Sequence, residues 1–208
     1  MDDCIKIWPH RLWVRSLPLG GESGSSPGGA NIKDEMMERK YLVFLDIDGV
    51  FTSSRVHYAQ NTDYPIWNKF DPVAIEFMNK IHDQYPVEFV LISTWKNYLK
   101  HDDQNISHWI QAAFANSSFR GNFADPWKTD PEESWPNKPS GYNRSHEIKE
   151  YLEERATDVV DYIIFDDNDY GFEKVLGKKR LVRTDPENGL LWKHMQRAQS
   201  IVGQWTER

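Results

Sequence analysis

Residues 41–49 read Tyr41-Leu42-Val43-Phe44-Leu45-Asp46-Ile47-Asp48-Gly49. The first five side chains are apolar or aromatic, which is typical of a short strand that is buried on both faces of a parallel sheet. Two carboxylates and a glycine follow at once. Because Gly49 permits a tight backbone turn, the strand is expected to end at the first carboxylate.

The rest of the chain repeats this alternation of short apolar runs and amphipathic segments. Further runs that are typical of buried strands lie at residues 88–92, 162–165 and 180–182. Helical spacing of apolar residues occurs at 72–81, 106–114, 145–152 and 190–202. The alternation predicts an α/β fold with a mostly parallel central sheet.

Composition narrows the class of protein. The 208 residues include 32 acidic and 25 basic ones and carry a net charge of -7, which argues against a protein that coats nucleic-acid duplexes. The single cysteine, Cys4, excludes an intrachain disulfide and favours a cytoplasmic setting. Since no apolar run approaches the roughly 20 residues of a membrane span, we expect no contact with a membrane.

The first 37 residues differ in composition from the rest. Residues 18–31 are rich in glycine and serine, which is typical of a flexible linker. The apolar residues before them, within positions 1–14, are compatible with a docking element, an upstream extension or an artefact. We therefore predict a flexible extension over residues 1–37 and one catalytic domain over residues 38–208.

Polar side chains follow three of the predicted strands. Asp46 and Asp48 follow the first, Ser93 and Thr94 the second, and Asp166 and Asp167 the third. Ligands bind at the carboxyl ends of strands in open parallel sheets, so we expect these side chains to converge. Carboxylates packed together require a cation, and Mg²⁺, which prefers oxygen ligands, is the predicted cofactor. With such a cation an aspartate can attack the phosphorus of a phosphate ester.

The order of these motifs resembles the haloacid dehalogenase (HAD) superfamily. Residues 43–51 look like its first motif, residues 92–94 like its second and residues 164–167 like its fourth. Together with residues 93–96, 144–148 and 183–190, they are similar to the HAD domain of Swiss Army Knife RNA repair proteins. This resemblance covers about residues 38–202. It implies a Rossmann-like three-layer sandwich with a small or minimal cap.

The resemblance also implies roles for the matching residues. Asp46 is expected to attack phosphorus, and Asp48 to protonate the leaving oxygen and then activate water. Ser93, or failing it Thr94, is expected to bind the transferring phosphoryl group. Asp46, Asp166, Asp167 and the backbone carbonyl of Asp48 are the implied Mg²⁺ ligands.

The third motif of the family is a lysine or arginine. Arg144 is our choice, since it precedes a predicted helix ahead of the fourth-motif strand, and Lys138 and Lys149 are the alternatives. Ser145 stands where the family usually has glycine. Read without the family, Arg144 is compatible with a surface position, and Lys96 is slightly favoured to face solvent.

Two stretches, residues 56–70 and 115–142, fit neither period and are predicted to be long irregular loops. Their aromatic residues are compatible with stacking on a nucleobase, although packing onto the core is favoured. They are Trp67, Trp127, Trp135, Tyr58, Tyr64 and Tyr142.

The resemblance favours a phosphorylated small substrate, either a nucleotide or a nucleic-acid end. Stable duplex binding is not expected, and the oligomeric state stays open. Two alternatives remain, namely a phosphatase for a sugar phosphate or another small metabolite, and a non-catalytic module that keeps the fold. Retention of Asp46, Asp48, Asp166 and Asp167 counts against the second alternative, since a decayed site need not keep both acids of the first motif.

Overall fold

The computed structural model describes residues 40–60, 70–99, 103–129, 138, 140–155 and 158–207. The predicted N-terminal extension and linker lie outside these residues, so the predicted domain boundary stays a prediction. Within the described part of the chain, no helix has both the length and the apolar character needed to cross a membrane.

Strands and helices alternate along the chain. The strands are β1 Lys40–Leu45, β2 Val87–Leu91, β3 Phe123–Lys128, β4 Val159–Asp166 and β5 Leu181–Arg183. The helices are α1 Ser54–Gln60, α2 Pro72–Gln84, α3 Asp103–Asn116, α4 Arg144–Glu154, α5 Phe172–Leu176 and α6 Trp192–Val202, and a 3-10 helix covers Thr94–Leu99.

The five strands form one parallel sheet in the order β3-β2-β1-β4-β5. The central strand, β1, pairs with β2 on one side and β4 on the other, and Leu45 lies opposite both Leu91 and Phe165. The ends of the three central strands are therefore level with one another. This arrangement confirms the predicted α/β fold with a parallel, Rossmann-like sheet.

Alternate residues of β1 enter two separate cores. Val43 and Leu45 belong to the core that also contains Met78 of α2 and Ile201 of α6. Leu42 and Phe44 face the other side of the sheet, where Ile148 of α4 packs. Because successive side chains of a strand point to opposite faces, the sheet is covered by a layer of helices on each side.

Two elements contradict the predicted irregular loops. Helix α1 occupies residues 54–60, but among its described side chains Val56 alone is buried, so its sequence has no apolar helical period to detect. Strand β3 contains Pro126, a residue that argues against a central strand. Since β3 pairs with β2 alone, it lies at an edge, where a proline is tolerated.

Candidate active site

The strand pairing continues just beyond the ends of β1 and β5. Asp46 donates its backbone N–H to the carbonyl of Phe165 at 2.9 Å, and Thr184 donates to the carbonyl of Asp166 at 2.9 Å. Each of these bonds fixes a residue at the carboxyl edge of the sheet against the neighbouring strand. Asp46 and Asp166 therefore lie side by side on a rigid framework.

Three of the predicted metal ligands meet at this edge. Asp46, Asp166 and Asp167 each offer a carboxylate oxygen, and these oxygens lie within 4.8 Å of one another. Asp46 is 4% exposed and Asp166 is fully buried, whereas Asp167 is half-buried. Carboxylates this close repel one another, so the cluster needs positive charge nearby.

Arg144 supplies part of that charge. Its Nη1 atom donates to Oδ2 of Asp46 at 2.8 Å and to Oδ2 of Asp166 at 2.6 Å, and its guanidinium group lies over the ring of Tyr170 at 4.8 Å. Arg144 is the first residue of α4, whose N-cap, Asn143, accepts a hydrogen bond from the backbone N–H of Ser145. The start of α4 therefore places the side chain of Arg144 next to the carboxylates of Asp46 and Asp166.

The alternatives to Arg144 lie elsewhere. Lys138 pairs with Glu150 at 2.8 Å, and Lys149 lies within 3.7 Å of Glu153 on the exposed side of α4. Of the three basic residues considered from sequence, Arg144 is the one that contacts the carboxylates. It is 3% exposed, so it does not occupy a surface position.

The carboxylates and Arg144 shift one another's pKa values. Burial raises the pKa of Asp166 to about 7, with the charge of Asp46 adding to the effect and Arg144 opposing it. Burial and Asp46 also raise the pKa of Asp167. Burial alone would lower the pKa of Arg144, but Asp46 and Asp166 outweigh it and raise that pKa, so the guanidinium stays charged.

A tight turn joins the cluster to Asp48. The Ile47 carbonyl accepts backbone hydrogen bonds from Val50, Phe51 and Thr52 at 2.9 to 3.2 Å. Gly49 has φ +70°, and a Cβ atom there would lie 2.6 Å from Cβ of Asp167. Glycine is therefore required twice, by the backbone conformation and by the close approach of Asp167.

Asp48 is exposed at the rim of the cluster. Its Oδ1 accepts a hydrogen bond from Thr52 Oγ1 at 2.9 Å, and its Oδ2 accepts one from Trp95 Nε1 at 2.9 Å. Sequence reasoning gave no role to Thr52 or Trp95. The position of Trp95 directly after Ser93 and Thr94 was the available signal, because that segment follows β2 at the same edge.

Ser93 and Thr94 lie where β2 meets the 3-10 helix. Ser93 is buried, and its Oγ accepts a hydrogen bond from the backbone N–H of Trp95 at 3.4 Å, which is the contact of a local cap. In the described part of the chain, neither hydroxyl is hydrogen-bonded to the three clustered carboxylates. Their predicted contact with a phosphoryl group therefore stays a prediction.

The expectation that Lys96 faces solvent is wrong. Lys96 is 1% exposed, and its ammonium group donates to the carboxylate of Glu147 and to Thr129 Oγ1, the latter at 2.6 Å. Thr129 in turn donates to Glu147 at 2.8 Å. Lys96 belongs to the segment that begins with Ser93, and Glu147 lies one turn after Arg144. The buried ion pair thus connects the two segments beside the carboxylates.

The aromatic residues of the predicted loops take different positions. Trp127 packs against the core, and Tyr142 stacks on His146 with ring centroids 5.3 Å apart. Tyr58 is 81% exposed on α1. Trp67, Trp135 and Tyr64 lie outside the described residues.

A cavity of about 320 Å³ opens beside Asp48. Asp48, Gly49 and Asp167 line it on the side of the carboxylates, and residues of α1 are among the rest of its lining. The clustered carboxylates therefore have an accessible space next to them in which a substrate can bind.

A family model matches the part of the chain that carries this site. A model of the HAD domain in Swiss Army Knife RNA repair proteins matches residues 42–195, which is more than half of the chain. The chain belongs to this family. No significant match was found among curated proteins or among solved structures.

HAD domains generally hydrolyse phosphate esters, so membership supports phosphohydrolase activity at the level of the reaction class. The family typically uses Mg²⁺. The oxygen donors of this HAD domain fit such an ion, since three carboxylates converge and burial and mutual repulsion raise the pKa of two of them. A cation would relieve that repulsion.

The raised pKa of Asp166 predicts how pH affects the stability of the metal-free protein. The pKa rises from 3.8 to about 7 in the fold, so the stabilising contribution of Asp166 is complete below about pH 4 and is lost as the pH rises through about 7. In buffer that contains a metal chelator, we expect the free energy of unfolding to fall by on the order of a few kcal/mol as the pH rises from about 4 to above about 7. Urea unfolding at a series of pH values measures this fall.

The Asp166→Asn variant is the control, and its free energy of unfolding should fall less than that of the wild type between pH 4 and 8. Adding Mg²⁺ should stabilise the wild type more at pH 8 than at pH 5, because the ion binds ionised carboxylates. Equal stabilisation at both pH values would contradict a metal site that contains Asp166.

The buried ion pair predicts a large stability difference. Lys96→Met removes the cationic partner of Glu147, which is 2% exposed, so we expect a loss of about 3–5 kcal/mol in the free energy of unfolding. The double variant Lys96→Met/Glu147→Met should recover much of this loss, because neither charge is then buried alone. Lys149→Met, which removes an exposed lysine of the same helix as Glu147, should change stability by less than about 0.5 kcal/mol. The pairing would be refuted if the double variant lost as much stability as the single variants Lys96→Met and Glu147→Met lose in total.

Proposed function

We propose that this HAD domain is a Mg²⁺-dependent phosphomonoesterase that acts on nucleotides or polynucleotide ends through an aspartyl-phosphate on Asp46. The observation that carries the proposal is the pairing of Asp46 with a fixed arginine inside a carboxylate cluster that adjoins an open cavity. A cytoplasmic setting remains our expectation from the single cysteine.

Asp46 is the proposed nucleophile. Its Oδ1 accepts a hydrogen bond from the backbone N–H of Ile47 at 2.8 Å, and its Oδ2 accepts one from Arg144. These bonds hold the carboxylate in one orientation at the end of β1. Attack on phosphorus would form an Asp46–phosphorus acyl phosphate bond and break the bond between phosphorus and the leaving oxygen.

Asp48 is the proposed general acid and base. Its carboxylic acid would give a proton to the leaving oxygen. The resulting carboxylate would take a proton from the water that attacks phosphorus, which breaks the bond between Asp46 and phosphorus and releases inorganic phosphate. Asp48 is exposed and borders the cavity, so both water and a leaving group can reach it. Thr52, four residues after Asp48, and Trp95, in the segment after β2, each donate a hydrogen bond to one of its two carboxylate oxygens.

Arg144 would keep the Asp46 carboxylate oriented and would offset charge on the transferring phosphoryl group. Ser93, or failing it Thr94, would donate a hydrogen bond to a phosphoryl oxygen. Bound Mg²⁺ would act as a Lewis acid that lowers repulsion between the phosphate dianion and the carboxylates. Its proposed ligands are Asp46, Asp166, Asp167 and the backbone carbonyl of Asp48.

The substrate proposal draws on the family and on the shape of the site. The family is named for RNA repair proteins, which supports a substrate at a nucleic-acid end or a nucleotide. Asp48 is exposed rather than enclosed, and the cavity beside it is open to solvent, which suits a substrate that extends beyond the site.

The test is phosphate release in Mg²⁺ from nucleoside monophosphates, from 3′- and 5′-phosphorylated oligonucleotides and from sugar phosphates. Asp46→Asn should abolish release, since the nucleophile is removed. Asp48→Asn should lower kcat by about 10²- to 10⁴-fold, the usual contribution of a positioned acid or base. Chelation of the metal should stop release by the wild type.

Asp169→Asn is the matched control. Asp169 lies two residues after Asp167, but its carboxylate accepts a hydrogen bond from the backbone N–H of Gly171 at 2.9 Å, so activity should be retained. Mass spectrometry of acid-quenched protein should detect a phosphate adduct on Asp46. Unchanged release by folded Asp46→Asn would refute the mechanism, and faster turnover of sugar phosphates than of nucleotides would refute the substrate class.

A further inference from the structure

The cavity beside Asp48 extends from the carboxylates to helix α1. Its described lining consists of Asp48, Gly49, Thr52, Ser53, Ser54, His57, Tyr58, Asp167 and Pro186. Asp167 also belongs to the carboxylate cluster around Asp46. A phosphate that reaches Asp46 from this side would therefore have its attached organic group inside the cavity.

The charge of the lining favours an organic group without charge of its own. Among the described lining residues there is no lysine or arginine, so the cavity offers no such side chain that could pair with a second phosphate. Hydroxyl groups from Thr52, Ser53 and Ser54 line the same space and can hydrogen-bond to a sugar.

Tyr58 gives the cavity an aromatic wall. Its side chain is 81% exposed although it is large and partly apolar, and its ring meets that of His57 edge-on, with centroids 5.8 Å apart and an interplanar angle of 68°. An exposed ring at a cavity is a platform on which a nucleobase can stack, whatever the base. The volume of about 320 Å³ is at the lower end of the usual range for small-ligand sites.

We propose that this cavity binds the single nucleoside attached to the scissile phosphate, with its base stacked on Tyr58. The inference rests on the proposed function and adds the residue that selects nucleotides over sugar phosphates. Tyr58 makes no contact with the reacting atoms in this arrangement. Its removal should therefore weaken substrate binding and leave the chemical step unchanged.

The kinetic test compares wild type, Tyr58→Ala and Tyr58→Phe on adenosine 5′-monophosphate, adenosine 3′-monophosphate and ribose 5-phosphate. Tyr58→Ala should raise KM for the better nucleotide by about 5- to 150-fold, equivalent to about 1–3 kcal/mol of stacking, with little change in kcat. Turnover of ribose 5-phosphate, which has no base, should be unaffected. Tyr58→Phe keeps the ring and should behave like wild type.

Trp192→Ala is the matched control, because Trp192 is also an exposed aromatic residue but lies outside the lining of the cavity. Trp192→Ala should leave kcat and KM unchanged for both adenosine monophosphates and for ribose 5-phosphate. An equal effect of Tyr58→Ala on nucleotide and ribose 5-phosphate, or no effect on either, would overturn the inference while leaving the phosphatase proposal intact.

A binding measurement separates this inference from the proposed reaction. In Asp46→Asn with Mg²⁺, calorimetric titration should show adenosine monophosphate binding more tightly than ribose 5-phosphate, and Tyr58→Ala should remove the difference. If wild type released phosphate from no substrate but this preference persisted, the proposed reaction would fail and the nucleoside site would stand. Absence of any nucleotide preference would overturn the site.

Discussion

The main constraint on this structure is that like charges are buried at the carboxyl edge of its central strands. Pairing of β1 with β4 places Asp46 beside Asp166, and both are almost completely removed from solvent. Such burial is unfavourable unless a cation compensates it, and Arg144 contributes one positive charge against three clustered carboxylates. The sheet, which is held by apolar packing on both faces, supplies the stability that keeps this unbalanced cluster in place.

Helix α4 connects the charge cluster to the rest of the edge. Arg144 in its first turn contacts Asp46, and Glu147 one turn later pairs with Lys96, which follows β2. Helix α4 is thus held against the segments that follow β1 and β2. Because residues three apart on a helix lie on the same side, one helix start can orient an arginine and anchor the segment that contains Ser93.

The central strands and their terminal acids were predictable because burial on both faces leaves continuous apolar runs that end in polar residues. Arg144 could be chosen from its place before a helix. The pairing of Lys96 with Glu147 was not predictable, since 51 residues separate them and an isolated lysine more often faces solvent. Strand β3 was missed because Pro126 removes a backbone donor, and that loss is harmless at an edge.

The charge balance also gives a reason why a phosphate at this edge would need a cation beside it. One arginine cannot offset three carboxylates, and an approaching phosphate dianion would add further negative charge next to Asp46. A divalent ion among the same oxygens would bring the cluster close to neutrality, so that its binding and the approach of the substrate would favour each other. The unfavourable electrostatics of the clustered carboxylates are therefore a reason to expect metal binding.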